Sequence, residues 1–82
     1  MLKYIIEQYP DEKFLIADGF NDAIIGVDEK TMRLIYSVTK CINVLMKRDK
    51  MKVDEAREYF EFNVSGSYVG EKTPIWCEDF NF

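Results

Sequence analysis

Apolar positions in this chain recur at two different spacings, and the switches between them mark out its elements. Leu2, Ile5, Ile6 and Tyr9 stand three and four residues apart, which predicts a short opening helix ended by Pro10. Residues 14–17 (FLIA) form a compact apolar run, followed by Asp18, Gly19, Phe20, Asn21 and Asp22, whose types tolerate left-handed or self-capped backbone. A strand and then a turn are expected there. Residues 23–27 (AIIGV) are continuously apolar with β-branched side chains, the pattern of a strand covered on both faces, and are placed in the middle of a sheet. A polar connection, Asp28 to Thr31, leads to Arg33, Leu34, Ile35 and Tyr36, so these two runs pair as a hairpin and the three strands form a meander.

Helical spacing then takes over. Ser37 can cap a helix whose apolar positions Val38, Cys41, Ile42, Leu45 and Met46 follow the amphipathic pattern. A second helix begins near Val53, where Asp54 and Glu55 suit the positive end of the helix dipole, and is expected to run to about Ser65 with Gly66 as its stop. At about 100° per residue, Val53, Ala56, Phe60 and Val64 share one side while Phe62 points away among Glu55 and Glu58. After a glycine-containing loop, residues 73–77 (TPIWC) read as a terminal strand at a sheet edge, because Pro74 lacks an N–H to donate. The predicted fold is therefore α+β: one domain over residues 1–82, with a small three- to four-stranded antiparallel sheet, two main helices and a short N-terminal helix.

Composition narrows the function classes. Hydrophobic residues make up 48% of the 82 and the net charge is −4, which fits a folded domain and not a self-repelling disordered chain. The acidic balance argues against binding a phosphate backbone, and the basic cluster Lys47, Arg48, Lys50 and Lys52 reads as a solvated turn between helices. No apolar run approaches the roughly 20 residues of a membrane helix, and the N-terminus lacks a signal-peptide core, so a cytoplasmic location is expected. Cys41 falls on a helix's apolar stripe and reads as a small core residue; no disulfide to Cys77 is expected.

Candidate chemistry is sparse. With no histidine, a zinc set or a His-activated Cys77 nucleophile is excluded, and acid–base work would fall to carboxylates such as Asp22 or Glu71, or to Tyr or Lys. Asp18, Asp22 and Asp28 lack the alternating spacing of a calcium loop, so no metal or other cofactor is expected. The loop over residues 65–73 holds two glycines and three Ser/Thr hydroxyls, yet it lacks a GKS or GKT ending and follows a helix instead of opening one. More informative are the aromatics: six Phe, five Tyr and one Trp exceed what so small a core readily hides. Tyr59, Phe62, Tyr68 and Trp76 are the candidate interaction residues, since aromatic anchors are what interface centres use. Alternatively the C-terminal CEDFNF segment, with Phe80 and Phe82, folds back over Phe62.

The stretches GFNDAIIGVD, YSVTKCINVLM and DEAREYFEFNVSGSYVGEKTPIW, in that order, resemble a group of small proteins encoded by tailed bacteriophages and prophages. The EYFEFNVSGSYVGEKTPI portion carries the specificity. One departure is Lys52, where similar proteins often have a hydroxyl residue that completes a capping box with the position of Glu55. The resemblance implies an accessory protein acting in an infected bacterial cytoplasm and brings no catalytic residues with it. The expected function is non-enzymatic: binding to a host or phage protein, with inhibition of a host defence or host enzyme as its purpose, by a chain that also self-associates. The alternative is an oligomer that sequesters a nucleotide-like ligand, using Gly66, Tyr68, Gly70, Glu71 and Thr73 with Trp76.

Overall fold

The computed structural model describes residues 1–80 and has an α+β fold with a three-stranded mixed sheet. Helix α1 (Leu2–Gln8) buries Ile5, as the apolar spacing predicts, and ends just before Pro10 with the Tyr9 amide donating to Ile5. A 3₁₀ turn at Asn21–Ala23 leads into β1 (Ile24–Asp28), which pairs antiparallel with β2 (Arg33–Ser37). The hairpin connection is held by Asp28: its carboxylate accepts from the Lys30 amide at 3.1 Å and the Thr31 hydroxyl at 3.0 Å. These bonds, the Lys30 amide foremost, hold the Asp28 carboxyl below its usual range.

Helix α2 (Val38–Arg48) starts at Ser37, whose hydroxyl accepts from the Lys40 amide at 3.1 Å, and buries Val38, Cys41, Ile42 and Leu45. That stripe packs on the sheet, whose β2 strand alternates buried Leu34 and Tyr36 with half-exposed Arg33 and Ile35. Helix α3 (Val53–Phe60) lies against α2 and contributes Ala56 and Phe60 to the core. Val53, expected on the same side, is exposed at the helix start. Lys52 precedes the helix and its amide donates to Glu55 Oε1 at 3.1 Å, but an ammonium has no lone pair to return, so only half of a capping box forms.

Three sequence expectations need correction. Residues 14–17 are not a strand: the Ala17 amide donates to the phenol oxygen of Tyr36 at 2.7 Å, and Leu15 and Ile16 are exposed. The run at residues 23–27 is an edge strand, with β2 in the middle. A bulge explains its unbroken apolarity: Ile24 pairs with Tyr36 and Gly26 with Ile35, so Ile25 is the extra residue between them. Ile24 and Val27 both reach the covered face that way. Finally, the terminal strand β3 (Ile75–Cys77) is at an edge as Pro74 suggested, but it runs parallel to β2, making the sheet mixed.

Candidate functional site

The exposed apolar surface begins where α3 stops being an α-helix. From Phe60 the chain widens into a π turn over Glu61–Ser65, a distortion that recurs at functional sites. Gly66 closes it without a left-handed backbone, since its φ is −74°. It is needed for space: a Cβ there would stand 2.6 Å from the Glu61 carbonyl oxygen. Phe62 projects from this turn with 76% of its surface exposed. Around it lies a groove formed by Met51, Glu55, Glu58, Tyr59 and Asn63, in which the Asn63 amide donates to the Tyr59 carbonyl at 3.2 Å.

Tyr59 and Asn63 also border a second depression, an apolar cleft of about 380 Å³. Leu15, Ile16 and Ala17 form one wall of this cleft, and Val69 and Pro74 contribute from the loop before β3. The first wall is fixed in place by the buried Tyr36 phenol that holds the Ala17 amide. Trp76 lines the cleft as well, with its ring 5.1 Å from Tyr36 and 5.3 Å, edge to face, from Phe60. Its indole N–H is buried without an acceptor, the sole such side-chain atom among the described residues. At the rim stand Asp18 and Arg48. The guanidinium of Arg48 donates to Asp49 and to the Gly19 carbonyl, and lies 5.5 Å from the centre of the Phe20 ring. Its pairing raises the Arg48 pKa and lowers that of Asp49.

The four predicted interaction residues are thus distributed unequally. Tyr59 joins groove and cleft, Phe62 stands beside them, Trp76 is half-buried in the cleft's lining, and Tyr68 is 79% exposed on the loop outside both. Phe80 is also 79% exposed, so the described part of the C-terminal segment does not cover Phe62; Phe82 lies outside the described residues. That segment is tied elsewhere, through a 2.5 Å bond from the Ser37 hydroxyl to Asp79. Leu15, Ile16, Val69 and Arg48 escaped the sequence reading. The first two looked like strand interior, and Arg48 looked like part of a solvated turn.

The loop from Gly66 to Thr73 spends several of its polar groups on itself. The Ser67 amide donates to Val64, the Val69 amide to the Thr73 hydroxyl at 3.0 Å, and the Thr73 amide and hydroxyl both reach the Gly70 carbonyl. Gly70 has a φ of 115°, a conformation the turn requires and a side chain would resist. Lys72 is drawn away to the Thr31 and Met32 carbonyls and to Glu12, while the Arg33 guanidinium holds the Thr73 carbonyl at 2.6 Å. The Ser67, Val69 and Thr73 amides are therefore not free to cradle a phosphate, which leaves those of Tyr68, Gly70 and Glu71 among the residues named for a ligand. Glu71 is exposed.

Asp18, Asp22 and Asp28 do not converge: Asp28 serves the hairpin turn, Asp18 the cleft rim, and Asp22 a separate polar hollow with Lys47. Among the described residues no group of three metal-ligating side chains occurs, no helix is long and apolar enough to cross a membrane, and both cysteines are unbridged. Burial pushes the Cys41 thiol up to about 12, with Asp79 adding to the effect, which leaves it inert as a nucleophile. Comparison with protein-family models, curated proteins and solved structures finds no match to this chain.

Proposed function

We propose that this chain is a non-enzymatic protein-interaction domain whose working surface is the Phe62 knob together with the adjoining apolar cleft. One observation supports the reading most: Tyr59 and Asn63 are shared by groove and cleft, so exposed Leu15, Ile16, Tyr59, Phe62 and Val69 border one continuous surface. Aromatic and aliphatic anchors around a depression, rimmed by Asp18, Arg48, Glu55 and Glu58, have the make-up of an interface centre with a polar edge. The EYFEFNVSGSYVGEKTPI stretch that resembles small phage proteins supplies Tyr59, Phe62, Asn63, Val69 and Pro74. On that resemblance the partner is a host or viral protein in an infected bacterial cytoplasm, and the purpose is restraint of a host defence or host enzyme.

A photo-crosslinking residue placed at Tyr59, and separately at Tyr4 on α1, tests this inside the bacterial host. The expected result is a discrete heterologous adduct from position 59 that is absent from position 4 and lost when Leu15 is changed to Asp. Equal labelling from both positions, or none from position 59, would refute the proposal.

A second reading is an oligomer that binds a nucleotide-like ligand. Its support is the cleft volume, about 380 Å³, which falls within the roughly 300–1,000 Å³ of small-molecule sites, with the Arg48 cation at the rim. It predicts thermal stabilisation worth about 2.7 kcal/mol when ligand reaches a hundred times its dissociation constant. A panel of nucleotides that leaves the melting temperature unmoved would remove it.

A further inference from the structure

The shortest strand of the sheet carries part of the cleft's lining. β3 spans only Ile75–Cys77, and Pro74 before it has no N–H to add to the ladder. Three residues make few ladder bonds, so the place of this strand depends on anchors at its ends. Upstream, the Thr73 carbonyl accepts from the Arg33 guanidinium at 2.6 Å. Downstream, the chain leaves the sheet as Glu78 and Asp79, and each reaches a different helix. The Glu78 carboxylate lies 3.8 Å from the Arg57 guanidinium on α3, and Asp79 accepts from the Ser37 hydroxyl at the head of α2.

The Asp79 arm is the stronger of the two. Ser37 is fully buried and its hydroxyl also accepts from the Lys40 amide, so the side chain that caps α2 is the one that holds Asp79. The first turn of α2 has no acidic residue of its own and carries Lys40 instead. Asp79 therefore supplies, from 42 residues along the chain, the negative charge that the positive end of the helix dipole favours. Arg57 and Glu78 are each half exposed, so water screens that pair and it adds little to the hold.

Trp76 sits between the upstream and downstream anchors. Among the described residues it alone lines both the cleft and a smaller hollow of about 170 Å³, formed by Val38 and Ile42 of α2, Arg57 and Phe60 of α3, and Glu78. Its ring is thus a partition between the two. Packing on Tyr36 and Phe60 holds that ring, but no hydrogen bond does, because the indole N–H is buried without an acceptor. An unpaired buried donor is a standing cost of this arrangement, which contact with water would relieve. The Ser37–Asp79 bond opposes that relief.

We infer that residues 78–79 are a latching strap and that Trp76 is the gate it holds. Latched, the ring separates cleft from hollow. Released at Asp79, β3 loosens from its downstream end, the ring turns toward water and the two cavities join. The open form is a minor population of the folded protein, since the charge-assisted Ser37–Asp79 bond and the ring packing both favour closure. This device belongs to the free chain and does not depend on what enters the cleft.

The chain has a single tryptophan, so solvent exchange of one indole N–H resonance in the purified full chain reads the gate. In the wild type that proton should exchange faster than the Leu45 amide of α2, at a rate that low urea does not change, because a local opening exposes little surface. Asp79→Ala should speed it at least about tenfold, the low end for a hydrogen bond to a charged group, and should raise acrylamide quenching of Trp76 fluorescence. Glu7→Ala on α1 should leave both unchanged. Asp79→Asn, which keeps an acceptor for Ser37 without the charge, is a milder release that should fall between wild type and Asp79→Ala; circular dichroism verifies that each variant is folded. Indole exchange that rises with urea in step with Leu45 would overturn the inference, since the ring would then be freed only when the whole chain unfolds. So would an exchange rate that Asp79→Ala leaves unchanged.

Discussion

Replacing Tyr36 by Phe removes one oxygen atom and, with it, the anchor of one cleft wall. Tyr36 is fully buried, and its phenol accepts the Ala17 amide at 2.7 Å across 19 residues of chain. Among the described residues, no other hydrogen bond ties residues 15–17 to the sheet. The ring stays and the Trp76 contact at 5.1 Å with it, so the apolar contribution is nearly unchanged. What is lost is one hydrogen bond, leaving an amide donor without a partner, at about 1–3 kcal/mol when such a group stays dry. The bond is only partly buried, so water can reach the freed amide and the cost falls toward the lower end, about 1–1.5 kcal/mol. For a domain of this size that lowers Tm by roughly 4–10 °C. Urea unfolding gives the free energy, and amide exchange locates it. The Ala17 amide should lose its protection while Leu45 in α2 follows only the global change. Unchanged stability together with a still-protected Ala17 amide would refute the idea that this one bond fixes the wall.

The two neighbouring phenylalanines of the EYFEF stretch should behave oppositely. Phe60→Ala empties a core site and should cost about 3–5 kcal/mol, whereas Phe62→Ala in dilute protein should change unfolding by no more than about 0.5 kcal/mol; similar losses would mean Phe62 is packed in solution. Lys52→Ser supplies the missing acceptor at the start of α3 and should stabilise by about 1 kcal/mol, read as a raised urea midpoint with an unchanged slope; no rise would show the first turn is satisfied some other way. In alkali, the Cys41 thiol ionises near 8.5 in the unfolded chain but only near 12 in the fold. Its contribution is complete below about pH 8.5 and is lost as pH rises toward 12, at up to about 1.4 kcal/mol per pH unit, because the unfolded state then binds fewer protons. Cys41→Ala should flatten that alkaline slope, and a slope equal to wild type would exclude this thiol as its source.

What could be read from residue order was whatever depends on neighbours along the chain. The α2 stripe of Val38, Cys41, Ile42 and Leu45, the Ser37 cap, the stop before Pro10 and the edge placement of the strand that follows Pro74 all follow from local chemistry, and all are found, although that strand spans only Ile75–Cys77. The errors arose where a distant group decided the outcome. FLIA looks extended, but its backbone partner is a side chain on β2, which no periodicity signals. The run Ile24 to Val27 looked doubly covered because a bulge at Ile25 reverses the alternation. The direction of β3 depends on how α2 and α3 carry the chain back, and three residues hold no record of that. At the candidate site, Phe62 was legible because a large aromatic fell on the charged side of a helix. The cleft was not, since its walls come from residues 15–18, α3 and the loop before β3, brought together only by the fold.

The parallel pairing of β2 with β3 also sets an order of events in time. Ile35 meets Ile75 only after the intervening chain, containing both α2 and α3, has doubled back. The hairpin of β1 and β2 needs only a short closure, whereas this pairing must meet the entropy of closing a loop of 39 intervening residues before any contact offsets it. Registration of β3 is therefore expected to follow the hairpin, which pulsed amide exchange during refolding would check. Trp76 and Pro74 belong to that segment, so the cleft is complete only once β3 is in register. If the cleft binds as proposed, it can do so only after the two ends of the chain have been brought together.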